Sequence, residues 1–494
     1  LQMSIQSFVT PFVVLVFAVL LYHALHELQL RIESVLSTHV SSTGDVVIDD
    51  KRRVAWIGGE GENIATGHMK HIFEAFDNFN YKIITGCPPK EEWDVLWLHE
   101  YALSKTQRCY HDEVNRAEWP KAVNHIAGSG YYTSKVYLAT TDLPFGVPLA
   151  FKLPSEADKL KKYAAQHPEV RWVQKDNGHR NIHIKKIEDV DFEQSNSFVQ
   201  QFVDNPLLID DRKFDLGIYT VVTSLDPLKV YTFEDVLIRF CPKDYNPFDE
   251  NDVDKYVVGD DYTPLWEIKS LSPFYNDNRL SVKETMNAYL KSKGKDGGKI
   301  WRQVQAVIAE VFQAHQDKMI RSRPMKGTDP KFFELSRFDF VVDDELNVYL
   351  MEANMSPNLS SGHFIENQLL YEQVLMSVFS LVGLASPLTK TATDKFRTRP
   401  RSQFAPVSDR DISLEYAFCI DCSLCDAEEL CALCGHCLKA DDELTDVLGE
   451  TVREHLERRK MRRVALRSDK AQTRLDRLLS VFVEAKCERD SSWC

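Results

Sequence analysis

Residues 332–359, FFELSRFDFVVDDELNVYLMEANMSPNL, decide how this chain is read. FDFVV (338–342) is a β-like run with Asp339 inside it. NVYLMEAN (347–354) is a second run that ends on Glu352 and Asn354. A hairpin between the two brings two carboxylates and an amide oxygen to one point. Hard oxygen donors of this kind suit Mg²⁺, which binds one or two carboxylates together with nucleotide phosphates. The bland alternative is an acidic hairpin with a solvated face.

Working outward, KFDLGIYTVVTS and KVYTFEDVLIRF read as a long hairpin around SLDP, with Pro227 at the second position of a type I turn. RWVQK (171–175), NIHIKKI (181–187) and SFVQQFV (197–203) read as further strands, and RVAWIGG (53–59) and WDVLW (93–97) as strands of an α/β unit. Apolar residues at helical spacing mark HMKHIFEAF (68–76), the segment 301–319 with Val304, Val307, Ile308, Val311 and Phe312 on one face, and 366–384. Lys213 and Asp215, at i and i+2, share one face of a strand that keeps two opposite charges there.

Three blocks, in chain order, carry a resemblance. D-F…E-x-N-x-S-P-x-L within 338–359 resembles the metal-binding end of the tubulin tyrosine ligase-like family, whose fold is ATP-grasp, an α/β (α+β) architecture. NPLLIDDRKFDLGIYTVVTSLDPLKVYTFEDVLIRF (205–240) is similar to the family's block around K-F-D-I-R, and PKAVNHIAGSGYYTSK (120–135) to its N-H-F-P-G segment. The likeness runs from about residue 54 to about residue 385.

The resemblance implies ATP-dependent ligation of an amino acid, glutamate before others, to protein side chains of tubulin through an acyl phosphate. ATP and Mg²⁺ would be the cofactors, with free glutamate and the acidic tails of tubulin or microtubules as partners. Residue by residue, it gives Asp339, Glu352 and Asn354 to Mg²⁺, with Asp339 also beside the nucleotide. It gives Lys175 to an inner phosphate, Gln200 and Gln201 to the edge of adenine, and Lys213 and Asp215 to nucleotide and substrate. By the same resemblance Arg239 would face the outer phosphate and the acceptor, where a guanidinium suits bidentate contact. Departures stand beside these matches. Lys175 is followed by DNGHRNIHI, with Gly178 the one glycine where the family has a Gly-rich phosphate loop, and His179 and Arg180 as replacement charge. Gly217 stands where K-F-D-I-R has Arg, and Pro264 follows Thr263 where the family has Asn. They motivate the alternative, an impaired ligase that keeps the fold as a binding module for microtubules or membrane.

The expected domains are an anchor and linker (1–50), an N-terminal α/β domain (51–135), a central ATP-grasp domain (136–200), a C-terminal ATP-grasp domain with the Mg²⁺ site (201–385), a linker (386–415), a Cys cluster (416–440) and a basic helical tail (441–494). A net charge of −14 argues against nucleic acid as partner. The tail is the exception, since residues 453–477 hold ten Lys/Arg against four Asp/Glu. Residues 5–25 are mainly apolar and uncharged, close to the ~20 residues that span a bilayer. They are expected to form a single-pass membrane anchor, with the body in the cytosol by the positive-inside rule and a lumenal body as the alternative. Cys419, Cys422, Cys425, Cys431, Cys434 and Cys437 form C-x2-C-x2-C-x5-C-x2-C-x2-C, a pattern for structural Zn²⁺ or, in an oxidising compartment, for disulfides.

Overall fold

The computed structural model describes residues 52–58, 67–104, 106–118, 121–178, 182–226, 228–322, 331–382, 384 and 461–463. The chain first builds a parallel sheet. β1 (Val54–Gly58) is followed by α1 (Lys70–Asn78), β2 (Lys82–Ile84), β3 (Val95–Leu98), α2 (Arg108–Arg116) and β4 (Ala122–Val123). β1 and β3 are short apolar runs, buried as the inner strands of a parallel sheet must be. A disulfide between Cys87 and Cys109, with Cα atoms 6.1 Å apart, ties the segment after β2 to α2. The cysteine pattern read from sequence had concerned only the C-terminal cluster.

Two short helices, α3 (Gly130–Thr133) and α4 (Lys135–Ala139), lead into a four-stranded antiparallel sheet. Its elements are β5 (Ala150–Leu153), α5 (Ala157–Gln166), β6 (Trp172–Asp176), β7 (His183–Lys185) and β8 (Ser197–Gln201), in the strand order β5-β8-β6-β7. α5 lays Leu160 and Ala164 on Phe151, Leu153, Trp172 and Val199.

The largest sheet follows. It comprises β9 (Phe214–Leu225), β10 (Leu228–Phe233), β11 (Leu237–Phe240) and β12 (Thr263–Pro264). After α6 (Val282–Ser292), α7 (Gly298–Ser322) and β13 (Lys331–Phe332) come β14 (Glu334–Val342), β15 (Val348–Met355), α8 (Gln368–Leu381) and β16 (Met461–Arg463). β13 returns to the first sheet and pairs with β4. β9 is the axis of the large sheet. One edge pairs with β14; the other pairs with β10 along residues 220–225 and with β11 along residues 214–217. The expected hairpin after β9 forms, but its second arm breaks at Glu234–Asp235. There the Asp235 carboxylate accepts from the N–H of Val236 and of Lys283, at the start of α6.

Period-two alternation then sorts the side chains of this sheet. Phe214, Leu216, Ile218, Ile238, Phe240, Phe338, Phe340 and Ala353 point to one face. There α7 packs Val304, Val307, Ile308, Val311 and Phe312 on them, the helical face expected from sequence. Asp215, Gly217, Arg239, Arg337, Asp339, Glu352 and Asn354 occupy the alternating positions of the same strands, opposite that core.

The anchor expectation is corrected. Residues 5–25 lie outside the described residues, and among the described residues no helix is long and apolar enough to cross a membrane. α7, at 25 residues, has the length but not the composition, since Lys299, Arg302, Glu310, Asp317, Lys318 and Arg321 line it. The described architecture is therefore a mixed α/β fold, and the membrane expected as partner and location finds no support among the described residues. The six clustered cysteines also lie outside the described residues. Of the tail expected to be helical, Met461–Arg463 are described, and they form a strand antiparallel to β10, which pairs its outer edge.

Candidate active site

Strand register builds the site. Asp339 lies opposite Glu352, and Arg337 opposite Asn354, across β14 and β15. Across β14 and β9, Asp339 lies opposite Gly217, and across β9 and β11, Asp215 lies opposite Arg239. The β14–β15 register shifts between Asp339 and Phe340, where Phe340 pairs with Leu350 and Met351 is the extra residue. A bulge here re-aims the side chain that follows it, Glu352. Asn354 Nδ2 is 3.1 Å from Asp339 Oδ2 and 3.0 Å from Glu352 Oε1, so the three expected metal ligands converge. The amide orientation is a hydrogen-bonding choice; flipped, it presents its oxygen at the same point. Two carboxylate oxygens around one amide is a donor set that fits Mg²⁺.

Two guanidinium groups brace the carboxylates. Arg239 holds Asp215 bidentately at 2.9 and 2.7 Å and reaches Asp339 Oδ2 at 3.1 Å. Arg337 holds Asp339 bidentately at 2.7 and 2.8 Å. Asp339 and Arg337 are both buried, and such charges persist only when paired with good geometry. Burial raises the Asp215 carboxyl above its ordinary range. Arg239 works against that rise and Asp339 adds to it.

Two lysines from other elements lie beside the cluster. Lys135, the first residue of α4, sits 2.8 Å from Glu352 Oε2 and donates to the Gly178 carbonyl at 3.2 Å. Burial pushes the Glu352 carboxyl up, but Lys135, its hydrogen bond, Asn354 and Arg337 outweigh it and bring the group down to about 2. Lys175, on β6, donates to Gln200 Oε1 at 3.1 Å. Burial lowers its ammonium to about 8; Glu352 opposes this, and Lys213 and Lys135 add to it. The segment after Lys175 is pinned to α4, since Asn177 Oδ1 accepts from Ser134 Oγ at 3.0 Å and from Val136 N at 3.3 Å. His179 and Arg180 lie outside the described residues. Gln200 Nε2 is buried with no partner among the described residues, a donor left over for a ligand beside Lys175.

Other expected residues are placed differently. Lys213 does not pair with Asp215; its Nζ donates to the Tyr256 carbonyl at 2.7 Å and lies over the Phe202 ring. Burial lowers its pKa. Gln201 ends β8, where its N–H bonds the Leu149 carbonyl at 2.8 Å. Thr263 accepts from Arg212 at 2.7 Å. Sequence reasoning missed two cations, Lys135 and Arg337. Arg337 carried a signal, standing two residues before Asp339 and so on the same strand face. Lys135 closes the block 120–135 that carries the resemblance, but only a fold contact brings it to Glu352.

Comparisons with known proteins show the family. Residues 113–394 match the profile described as the Tubulin-tyrosine ligase family. The chain is 51% identical over 472 residues to "Probable tubulin polyglutamylase ttll-15" of Caenorhabditis elegans, covering 93% of this chain and 91% of that relative. It is 26% identical over 347 residues to "Tubulin polyglutamylase TTLL6" of Mus musculus, covering 66% of this chain and 40% of the relative. To "Tubulin monoglutamylase TTLL4" of Homo sapiens it is 27% identical over 249 residues, covering 49% of this chain and 21% of the relative.

Proposed function

The chain belongs to the tubulin-tyrosine ligase family, and we propose on that premise that it is an ATP-dependent carboxylate–amine ligase that adds glutamate to side chains of tubulin. One observation carries the reading to particular residues: Asp339, Glu352 and Asn354 converge on a sheet face that also holds Arg239 and Arg337, with Lys135 at Glu352.

Family membership implies ATP and Mg²⁺, as related ligases use them. When bound, Mg²⁺ would supply neutralisation of phosphate charge at Asp339, Glu352 and Asn354. Lys175 and Gln200 would then face the nucleotide, with Gln201 and Lys213 assigned to it as well. The acceptor carboxylate attacks the terminal phosphorus of ATP, and ADP leaves. The amine of free glutamate attacks the resulting acyl phosphate, phosphate leaves, and an amide forms. Arg239 lies where it can hold the carboxylate or phosphate oxygens in both steps, with Asp215 fixing its guanidinium plane. Little covalent chemistry falls to the protein; positioning and fixed charge do the work.

The test is incorporation of labelled glutamate into tubulin by the full chain, with Glu352→Gln as control. Incorporation that is lost in the variant supports the assignment. Equal incorporation by both overturns the metal-ligand role of Glu352.

A further inference from the structure

We propose that Arg337 supplies, from β14, the active-site guanidinium that the family's K-F-D-I-R places on β9 and that Gly217 omits. The inference rests on the ligase reading above.

Gly217 lies inside β9, directly opposite Asp339. Its backbone does not require glycine, since its φ is not among the positive values of the chain. Glycine inside a strand weakens it and marks a place where another group approaches closely. The approaching group is Arg337. A Cβ on Gly217 would stand 2.9 Å from Arg337 Cδ, 3.3 Å from Nε and 3.4 Å from Cγ. The stem of Arg337 therefore lies across the ground that a side chain at position 217 would cover. Absence of a side chain on β9 and presence of a guanidinium from β14 are two halves of one arrangement.

Asp339 is shared between two guanidiniums, held bidentately by Arg337 and reached by Arg239 at 3.1 Å, while Arg239 holds Asp215. Arg337 is 8% exposed, and its burial carries a desolvation cost. Around the site, Arg239, Arg337, Lys135 and Lys175 face the carboxylates of Asp215, Asp339 and Glu352, an excess of cations that suits anionic reactants. Asp339 takes the Nε and Nη2 edge of Arg337, so a reactant would meet the remaining N–H groups, which suit an anionic oxygen of a substrate carboxylate or of a nucleotide phosphate.

The experiment compares the full chain with Arg337→Gly, Arg337→Lys, Gly217→Arg and the double variant Gly217→Arg/Arg337→Gly, each checked for cooperative melting. Arg337→Gly should lower kcat/KM for ligation by about 100-fold, the usual loss of one fixed active-site donor. Gly217→Arg should also lose activity, because the new side chain meets Arg337. The double variant should recover to within about tenfold of wild type, since the cation returns to β9 with its space cleared. Arg337→Lys keeps charge and volume where Arg337→Gly fails to fold, and should lose the same reactant affinity in part. A rise in KM for glutamate identifies a carboxylate as the partner of Arg337, and a rise in KM for ATP identifies a phosphate. An active wild type whose Arg337→Gly and Arg337→Lys variants keep kcat and both KM values overturns this inference alone. A folded double variant no better than the worse single variant overturns it as well. A wild type that incorporates no glutamate overturns the ligase reading and this inference with it.

Discussion

Lys135 Nζ stands 2.8 Å from Glu352 Oε2, so the first turn of a five-residue helix is bound to β15, an edge strand of the largest sheet. The pair is partly buried, with Lys135 12% and Glu352 26% exposed. A pair in that setting lies between a surface ion pair and a buried one in what its loss costs. Lys135→Met should therefore destabilise the fold by about 1–3 kcal/mol, read as a lower urea midpoint. The same variant should lower ligation, because Lys135 also holds the Gly178 carbonyl and with it the segment after Lys175. Unchanged stability and activity would mean the contact is incidental.

Lys175 yields a pH prediction. Burial has brought its ammonium down to about 8, so it is a cation below that pH and neutral above it. A phosphate beside it favours the charged form and raises its pKa. ATP binding above pH 8 should therefore take up a proton, and affinity should fall as pH rises through about 8. Calorimetry in buffers of different ionisation enthalpy reads the proton directly. Lys175→Met should bind more weakly and lose the pH dependence; a flat profile in the wild type would remove Lys175 from the phosphates.

Much of this was legible in the sequence, for reasons that differ by residue. The β14–β15 hairpin was readable because FDFVV and NVYLMEAN each carry a strand pattern, and a hairpin needs only local contacts. The face of α7 was readable because Val304, Val307, Ile308, Val311 and Phe312 repeat at helical spacing. The break at Asp235 was not, because the reason for it lies in α6, where the Lys283 N–H takes the carboxylate. Lys135 was not, because the spatial neighbour of a short helix is a tertiary fact. Gly217 was read as a missing cation, although Arg337 was in view two residues before Asp339. What the sequence lacked was the register that sets Gly217 against Asp339 and under the Arg337 stem. The anchor expected at 5–25 rested on hydropathy alone, and no described helix supports it.

The site and the core are two faces of the same strand, which makes Phe338 a sensitive position. It is fully buried between Arg337 and Asp339 in sequence, with its ring 5.8 Å from Tyr132 and 5.7 Å from Phe312. Phe338→Ala should cost about 3–5 kcal/mol, the range for removing a buried ring. It should also lower kcat/KM at temperatures where the variant is still folded, because both flanking charges depend on the strand being held flat on α7. Phe338→Leu, which keeps most of the volume, should recover most of both. Loss of stability with full activity would show that the charged face is held by its own ion pairs.

His315 gives the fold a pH dependence separate from catalysis. It is buried on α7, with Nε2 3.1 Å from Thr141 Oγ1 and with Nδ1 lacking a partner among the described residues. Thr141 Oγ1 donates to the Tyr137 carbonyl, so it accepts from Nε2–H, and the ring is neutral with a bare Nδ1. Burial lowers its pKa from the usual 6.5 to about 4, and nearby Lys318 adds to the shift. Between those two values the unfolded chain binds more protons at this residue than the folded one. Stability from His315 is therefore complete above pH 6.5 and is lost as pH falls from 6.5 towards 4. The full effect is at most about 3 kcal/mol, reduced by solvent screening. Urea unfolding at pH 7 and pH 5 should show a drop in the wild type and a smaller drop in His315→Gln, whose amide does not titrate. Equal drops in the two proteins would place the acid sensitivity elsewhere.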